Sequence, residues 1–226
     1  MNPVLYPVVV AGGSGTRMKS ETPKQFLRLG SKPVLQWSLE CFDVVPETAE
    51  LTIVLPEAWI EEGRRLLAGW SPKHPVKYII GGARRQDSVE AGVSSISDDD
   101  GWVAVHDGAR PAITPDLVRE CFHLALEKGN ASCALPASDT LVECSNGVVT
   151  GTIDRGRVYA MQTPQIFPVK LLCQALKLAR TQGIEGTDEA GLVRRLGVPV
   201  YLAPGSPLNL KVTRPDDLRL LASVLG

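Results

Sequence analysis

The stretch VVVAGGSGTRMKSETPKQF, residues 8–26, joins an apolar strand to a glycine-rich loop that carries two cations. Three valines open it, and glycines follow at positions 12, 13 and 15. Glycine lets a backbone approach a ligand closely, and successive backbone N–H groups in such a loop form a concave anion site. Arg17 and Lys24 stand in the same stretch. The loop alone leaves two alternatives open, a phosphate site and a structural turn.

Two common phosphate-binding motifs do not fit this loop. A P-loop that began at Gly12 would need glycine and lysine where the chain has Arg17 and Met18. The dinucleotide fingerprint would need a third glycine at Met18. The second mismatch disfavours an NAD-dependent dehydrogenase.

Composition and charge limit the class of protein. A chain of 226 residues suits one sizeable domain. Because the net charge is −1, we expect no bulk attraction to nucleic acid or to an anionic membrane. No apolar run is long enough to span a membrane, and the first residues lack a basic region and a small-residue cleavage site, so we expect neither a membrane span nor a signal peptide. Five cysteines without a CxxC motif are typical of reduced thiols, so we expect a cytoplasmic protein. The three histidines lack the spacing of a metal site.

Strand-like and helix-like segments alternate along most of the chain. The predicted strands are 5–10, 51–55, 76–80, 102–106, 131–135, 198–202 and 208–212. The predicted helices are 34–42, 58–70, 86–96, 115–127, 169–181, 188–196 and 215–225. This alternation predicts an α/β fold with a mostly parallel, doubly wound sheet.

The alternation breaks after Ser138. Residues 141–144 and 148–153 form two short strand-like runs joined by Ser145-Asn146-Gly147, and Asn-Gly is a strong hairpin signal. A lone hairpin is only marginally stable in water. We therefore expect this hairpin to pack on a second subunit, or else on its own domain.

Three polar loops follow predicted strands, and ligands bind at the carboxyl ends of such strands. One is the loop of residues 11–25. In the second, residues 81–88, Arg85 could reach a triphosphate and Ser88 a base, or Asp87 could simply cap a glycine turn. In the third, residues 106–111, Asp107 could hold Mg²⁺ beside phosphates, or could cap the loop or pair with Arg110.

Other polar residues also allow two interpretations each. Lys211 in the segment 209–213 could meet an anion or face solvent. Thr140 and Arg155, at the two ends of the hairpin, suit a phosphomonoester, although a weak surface Asp–Arg pair is the simpler interpretation. The segment Thr187-Asp188-Glu189-Ala190 indicates a helix start, with a ribose or second metal-side role as the alternative.

Taken in order, these motifs resemble the 2-C-methyl-D-erythritol 4-phosphate cytidylyltransferases of the non-mevalonate isoprenoid pathway. The resemblance covers nearly the whole chain. It rests on AGGSGTRM, PKQF, GGARRQDSV, VHDGARP, DTL, DR, QTPQIF, GTDEA and NLKVTRPDDL.

The resemblance implies a Rossmann-like sheet with helices on both faces, in one nucleotidyltransferase domain, 1–226. Residues 138–160 would form a protruding arm that joins a homodimer. Arg17 and Lys24 would be catalytic, and Asp107 would hold Mg²⁺ or another divalent cation. CTP would contact Ala11, Gly12, Gly13, Gly15, Gly82, Arg85, Ser88 and Lys211. The polyol phosphate would contact Arg110 and Thr213, with Thr140 and Arg155 supplied by the second subunit.

The implied reaction is in-line attack by a phosphate oxygen on the α-phosphate of CTP, with loss of pyrophosphate. The chain departs from the family pattern at Gly12, where the family has alanine, at Ala83, where it often has aspartate, and at Val142, where lysine is common. Two rival interpretations remain. One is a ribitol-5-phosphate cytidylyltransferase, and the other is a non-catalytic nucleotide-binding regulatory module.

Overall fold

The computed structural model describes residues 3–13 and 22–225. The strands in this part of the chain are β1 (Leu5–Val10), β2 (Arg28–Leu29), β3 (Lys32–Pro33), β4 (Leu51–Leu55), β5 (Val76–Ile80), β6 (Trp102–Asp107), β7 (Ala131–Pro136), β8 (Leu141–Ser145), β9 (Val148–Ile153), β10 (Tyr159–Pro168) and β11 (Leu202–Pro204). The α-helices are α1 (Val34–Asp43), α2 (Ile60–Leu66), α3 (Arg85–Ser94), α4 (Pro115–Lys128), α5 (Val169–Thr181), α6 (Glu189–Arg194) and α7 (Pro215–Leu225).

Seven strands form the central sheet, in the order β11-β7-β10-β6-β1-β4-β5. The strand β1 is parallel to both of its neighbours, β4 and β6. The pairs β4–β5 and β7–β11 are also parallel, whereas β10 runs antiparallel to β6 and β7. The predicted α/β fold with a mostly parallel sheet is therefore confirmed.

Both faces of the sheet are covered by helices because the apolar side chains of its strands point alternately to either side. In β1, Leu5 and Val9 join a core with residues of α1 and α4. Val8 and Val10 join the opposite core with residues of α3, α5 and α6. In the part of the chain that the structure describes, no helix is long and apolar enough to cross a membrane.

The parallel strands bring the predicted loops to one edge of the sheet. The last residue of β1, Val10, pairs with Asp107 at the end of β6. Gly108 N donates to Val10 O, and Ala11 N donates to Val54 O near the end of β4. The polar segments that follow β1 and β6 therefore start side by side.

The strand β10 was not predicted from the sequence. Pro164 lies within it, and proline inside a run argues against a central strand because it has no N–H to donate. The register of β10 on β7 shifts between Met161 and Gln165, so regular pairing stops around the proline. The missed strand separates β6 from β7 and is the antiparallel member of the sheet.

Three other predictions need correction. The predicted helix 58–70 is a 3₁₀ turn, Glu57–Trp59, followed by the shorter α2. The strand predicted at 198–202 is instead β11, which begins at Leu202. The segment 208–212 contains no strand, because its backbone bonds to loops: Asn209 N donates to Ser206 O, and Val212 N donates to Ala109 O.

The hairpin of β8 and β9 forms as predicted. Asn146 and Gly147 both have positive φ, 50° and 80°, as a two-residue type I′ turn requires. The two strands form a separate sheet and expose most of their residues, including Val148 and Val149 at 65% and 60%. We call residues 138–160, which contain this hairpin, the arm.

Candidate active site

A cleft of about 400 Å³ opens at the carboxyl edge of β1 and β6. It is lined by most of the predicted site residues: Ala11, Gly12, Gly13, Lys24, Gly82, Arg85, Ser88, Asp107, Lys211 and Thr213. Val10, Gln25, Ala83, Arg84 and Ala109 complete the described lining. Gly15 and Arg17, predicted as a nucleotide contact and a catalytic residue, lie outside the described residues.

Two turns hold the backbone close to the cleft. Gln25 Nε2 donates to Ala11 O at 2.5 Å, which anchors the start of the glycine-rich loop. At Gly82, an added Cβ would lie 2.3 Å from Asp87 Cβ, so only glycine fits. The Asp87 carboxylate accepts bonds from Arg84 N and from the Arg84 guanidinium. The capped turn and the cleft lining, considered as alternatives in the sequence, therefore coexist.

Lys24 begins a 3₁₀ turn, Lys24–Phe26, that buries all three of its residues. Its ammonium donates to the carbonyl oxygen of Val212 at 2.7 Å. The side chain thus connects the PKQF motif to the segment that carries Lys211, although 188 positions separate the two partners.

Asp107 lies at the centre of an ion-pair network. Its Oδ1 is 3.0 Å from Arg85 Nε, and its Oδ2 is 2.9 Å from Lys211 Nζ and 3.5 Å from Arg110 Nε. Burial by itself raises the pKa of the Asp107 carboxyl. The charges of Arg85, Lys211 and Arg110 outweigh burial and hold this pKa far below its usual range. Asp107 is therefore ionised at every physiological pH.

Glu189, in the first turn of α6, is a second carboxylate behind the cleft. Its two oxygens accept from Arg85 Nη1 at 2.6 Å and from Arg85 Nη2 at 3.1 Å. Burial raises the pKa of Glu189, and the charge of Arg85 opposes that rise only in part. Sequence reasoning assigned Glu189 to a helix start, which is correct, but it missed the pairing with Arg85.

The buried His106 helps to hold the loop that follows Asp107 through hydrogen bonds to Arg110 O and Thr163. His106 Nε2 lies 3.3 Å from Arg110 O, and because a carbonyl only accepts, Nε2 carries the proton. His106 Nδ1 then accepts from the Thr163 hydroxyl at 3.0 Å, and Thr163 Oγ1 accepts from Asp107 N at 3.1 Å. Burial lowers the pKa of His106 to about 3, so the ring is neutral.

The segment 205–213 closes the other side of the cleft. Asn209 Nδ2 donates to Thr163 O at 2.8 Å, and Asn209 O accepts from Arg110 Nη1 at 2.8 Å. These bonds place Lys211 opposite Asp107. The Thr213 hydroxyl donates to Asp217 Oδ2 at 2.9 Å, which also caps the start of α7.

Two predicted substrate residues lie on the arm and not among the described residues that line the cleft. Thr140 is exposed, and Arg155 Nη1 donates to Ser138 O at 2.6 Å. This bond joins the two ends of the arm. The predicted contact of Thr140 and Arg155 with a polyol phosphate stays a prediction, because it depends on a second subunit.

The cleft suits a polyphosphate anion. Lys24, Arg84, Arg85 and Lys211 line it, and Asp107 is the one carboxylate among its described lining residues. Cations in a partly desolvated cleft interact with phosphate more strongly than cations in water do. In the described residues, no group of three or more His, Cys, Asp or Glu side chains could hold a metal ion by itself.

Comparison with known proteins identifies the family to which this chain is similar. The family model of 2-C-methyl-D-erythritol 4-phosphate cytidylyltransferase matches residues 5–226. The protein of that name from Syntrophus aciditrophicus is 38% identical over 227 residues, covering 100% of this chain and 97% of the relative. The protein of that name from Symbiobacterium thermophilum is 40% identical over 219 residues, 96% of this chain and 91% of the relative.

Two further comparisons bear on length and fold. A protein named bifunctional enzyme IspD/IspF, from Desulfotalea psychrophila, is 37% identical over 218 residues; the match covers 96% of this chain but 56% of that relative. The crystal structure of the cytidylyltransferase from Thermus thermophilus matches with a TM-score of 0.80 and 32% identity, over 98% of each chain. The ordered motifs, the sheet and these matches agree, and the chain belongs to the 2-C-methyl-D-erythritol 4-phosphate cytidylyltransferase family.

Proposed function

We propose that this protein transfers the cytidylyl group of CTP to 2-C-methyl-D-erythritol 4-phosphate, forming 4-diphosphocytidyl-2-C-methyl-D-erythritol and pyrophosphate. The observation that carries the proposal is the cleft, in which Lys24, Arg85 and Lys211 meet from three separate parts of the chain. Family membership supplies the identity of the nucleotide and of the acceptor.

The reaction needs positioning and charge neutralisation more than proton transfer. The acceptor phosphate is a monoester that is already anionic near neutral pH, so it can attack the α-phosphate without a general base. Lys24 stands in the cleft on a turn whose three residues are buried. While one N–H stays on Val212 O, the Lys24 ammonium would donate another to the α-phosphate, where charge accumulates in the transition state. Arg17 is proposed for the same role from the sequence resemblance.

Asp107 fits a divalent cation that also binds the triphosphate. Mg²⁺ is usually held by one or two carboxylates together with substrate phosphates, and the cleft offers one carboxylate that stays ionised. When bound, the cation would neutralise charge on the triphosphate and on the leaving pyrophosphate. The nucleotide phosphates would draw Lys211 away from Asp107 Oδ2, which would free that oxygen for the cation.

The nucleotide would lie along the two glycine turns. Backbone groups of Ala11, Gly12, Gly13 and Gly82 suit the base and the ribose, because no large side chain blocks approach there. The Ser88 hydroxyl donates its proton to Arg84 O at 3.2 Å. The lone pairs of Ser88 Oγ are therefore available to accept from an amino group of the base. We assign Gly15 to the phosphate side of the loop from the sequence resemblance.

The acceptor would bind beside Arg110 and Thr213, with Thr140 and Arg155 reaching it from the arm of a second subunit. For Thr213, this requires the hydroxyl to turn away from Asp217 Oδ2. The exposed valines of the arm support a homodimer, because they would be buried by a partner. We propose that this dimer acts in the cytoplasm.

Pyrophosphate release is the test of the proposed function. The purified protein should release pyrophosphate with CTP, Mg²⁺ and 2-C-methyl-D-erythritol 4-phosphate, and far less with ribitol 5-phosphate or without an acceptor. Faster turnover with ribitol 5-phosphate would replace the acceptor assignment. Binding of CTP without any pyrophosphate release across both acceptors would favour a regulatory module instead.

A further inference from the structure

Glu189 has no part in the proposed reaction, although among the described residues it is the most deeply buried carboxylate near the cleft. The residue is 1% exposed, and both of its oxygens bind the Arg85 guanidinium. A buried carboxylate costs stability unless a cation and hydrogen bonds satisfy it. The charge of Glu189 is therefore balanced by Arg85, and the Arg85 guanidinium is oriented by Glu189.

The carboxylates of Glu189 and Asp107 accept hydrogen bonds from different nitrogens of the Arg85 guanidinium. Arginine has five N–H donors in a rigid plane and prefers to bind one carboxylate through two of them. Glu189 takes Nη1 and Nη2, and Asp107 takes Nε at 3.0 Å. Because Glu189 holds the outer end of the fork, Arg85 contacts only one oxygen of Asp107. The other oxygen, Oδ2, faces Lys211 Nζ at 2.9 Å and Arg110 Nε at 3.5 Å.

The segment that carries Glu189 is anchored independently of this ion pair. Gln86 Oε1 accepts from Gly186 N at 2.8 Å, and Gln86 Nε2 donates to Ile184 O at 3.3 Å. Gln165 Oε1 accepts from Ala190 N at 2.9 Å, and Gln165 Nε2 donates to Asp188 Oδ2 at 3.0 Å. The Gln86 bonds hold the segment before α6 against α3, and the Gln165 bonds hold the start of α6 against β10. The backbone that carries Glu189 is thus held by bonds that do not involve Arg85.

We propose that Glu189 is a positioning residue that fixes the Arg85 guanidinium and so keeps Arg85 and Asp107 in the arrangement that binds the nucleotide triphosphate. The proposal rests on the proposed function only for the identity of the nucleotide, CTP. Without Glu189, the fork would turn onto both oxygens of Asp107. Both groups would then be withdrawn from the nucleotide.

The test measures CTP affinity in the presence of Mg²⁺ by titration calorimetry, which requires no turnover. Glu189→Gln keeps the shape of the side chain but removes its charge, and it should weaken CTP binding roughly 10- to 100-fold, as loss of a second-layer partner does in comparable sites. The KM for CTP should rise by a similar factor, while the KM for the polyol phosphate stays within about twofold of wild type. Glu120→Gln, an exposed acid on α4 outside the cleft lining, is the control for loss of a carboxylate and should bind CTP like wild type.

A double variant separates positioning from a merely structural role. If Glu189 acts through Arg85, then Arg85→Gln combined with Glu189→Gln should bind CTP no worse than Arg85→Gln alone. If the single Glu189→Gln protein fails to fold, Glu189→Asp serves instead, because it keeps the charge but draws the carboxylate back from Arg85 Nη1 and Nη2, and it should also weaken CTP binding. Multiplicative losses in the double variant, or a folded Glu189→Gln protein with wild-type CTP affinity, would overturn the proposal.

The outcomes also distinguish this proposal from the proposed function. A wild-type protein that binds CTP but releases no pyrophosphate contradicts the function alone. A wild-type protein that turns over normally, with a Glu189→Gln variant of unchanged CTP affinity, contradicts the positioning role alone. A wild-type protein that binds no CTP contradicts both.

Discussion

At the scale of single residues, the strength with which the cleft binds charge depends on how far its ionised side chains are shielded from water. Lys24 is 9% exposed and Asp107 is 6% exposed, so water screens neither group well. A cation in such a position is organised before the substrate arrives and needs little rearrangement in the transition state. The buried carbonyl partner of Lys24, Val212 O, holds the ammonium in place.

Removing the Lys24 ammonium should therefore reduce chemistry more than binding. Lys24→Ala should lower kcat on the order of 10²- to 10³-fold, the usual cost of losing one preorganised donor, as measured by steady-state pyrophosphate release. Lys177→Ala, an exposed lysine on α5, is the matched control and should keep full activity. A folded Lys24→Ala protein with near-normal kcat would exclude the assignment.

The neutral His106 predicts how stability depends on pH. Its pKa is about 3 in the folded protein, while an unfolded histidine has a pKa of about 6.5. The unfolded state therefore binds more protons between these values, and the stability that His106 contributes is lost as pH falls from about 6.5 towards 3. Between pH 7.5 and 5.5 the expected loss from this one group is about 1.4 kcal/mol.

Urea unfolding at the two pH values measures this loss. His106→Gln, whose amide can both accept from Thr163 and donate to Arg110 O, removes the titrating group. The difference in the free energy of unfolding between pH 7.5 and 5.5 should shrink by about 1.4 kcal/mol in this variant. An unchanged difference would show that His106 does not carry the acid sensitivity.

At the scale of elements, the helix start that the sequence predicts most directly is that of α4. Threonine is a good N-cap residue, and Thr114, directly before the helix, accepts from Leu117 N through its Oγ1 at 3.3 Å. Thr114→Ala should lower the free energy of unfolding by about 1 kcal/mol in chemical denaturation and leave kcat unchanged, since the cap lies outside the described cleft lining. Thr114→Ser, which retains the hydroxyl, should lose much less. Equal losses in the two variants would contradict the capping role.

Local patterns predicted most elements, while long-range pairing decided the rest. The strands β1, β4 and β5 and the helices α5 and α7 have the predicted bounds, because each is marked by its own periodicity and by flanking glycine or proline. The strand β10 was missed because Pro164 interrupts its strand-like sequence. Hydrogen bonding to β6 on one side and β7 on the other nevertheless keeps these residues in the sheet. The segment 208–212 has strand-like letters, but its backbone hydrogen bonds go to loops.

The same distinction applies to the site. The glycine turns, Lys24 and Asp107 could be predicted because the carboxyl ends of parallel strands meet at one edge. Lys211 was assigned only through the family resemblance, because its own segment is not a strand. The cleft lining includes all of them. Glu189 could not, because its partner Arg85 lies 104 positions earlier. An acidic residue in the first turn of a helix is already explained by the helix dipole. The sequence therefore gives no sign that Glu189 also pairs with a distant arginine.

At the scale of the whole molecule, the arm exposes apolar residues that packing within one chain does not cover. A two-stranded hairpin is marginally stable alone, and the exposed valines of β9 would be buried by a second copy. We expect a dimer in sedimentation analysis at micromolar concentration. Val148→Asp combined with Val149→Asp should give monomers and raise the KM for the polyol phosphate, because Thr140 and Arg155 would no longer reach the neighbouring cleft.

Leu220→Asp, which places the same charge on an exposed apolar residue of α7, is the control and should stay dimeric. A wild-type protein that sediments as a monomer at all concentrations would remove the roles of Thr140 and Arg155 across subunits. The cleft of one chain would then have to bind both substrates alone.

We propose that the cleft beside Asp107 joins a cytidylyl group to a phosphorylated polyol. The most direct test incubates the wild-type protein with CTP, Mg²⁺ and 2-C-methyl-D-erythritol 4-phosphate and follows both products. We predict equal amounts of pyrophosphate and 4-diphosphocytidyl-2-C-methyl-D-erythritol, each dependent on the acceptor. Pyrophosphate release that is independent of the acceptor, or no release from a folded protein that binds CTP, would contradict the account.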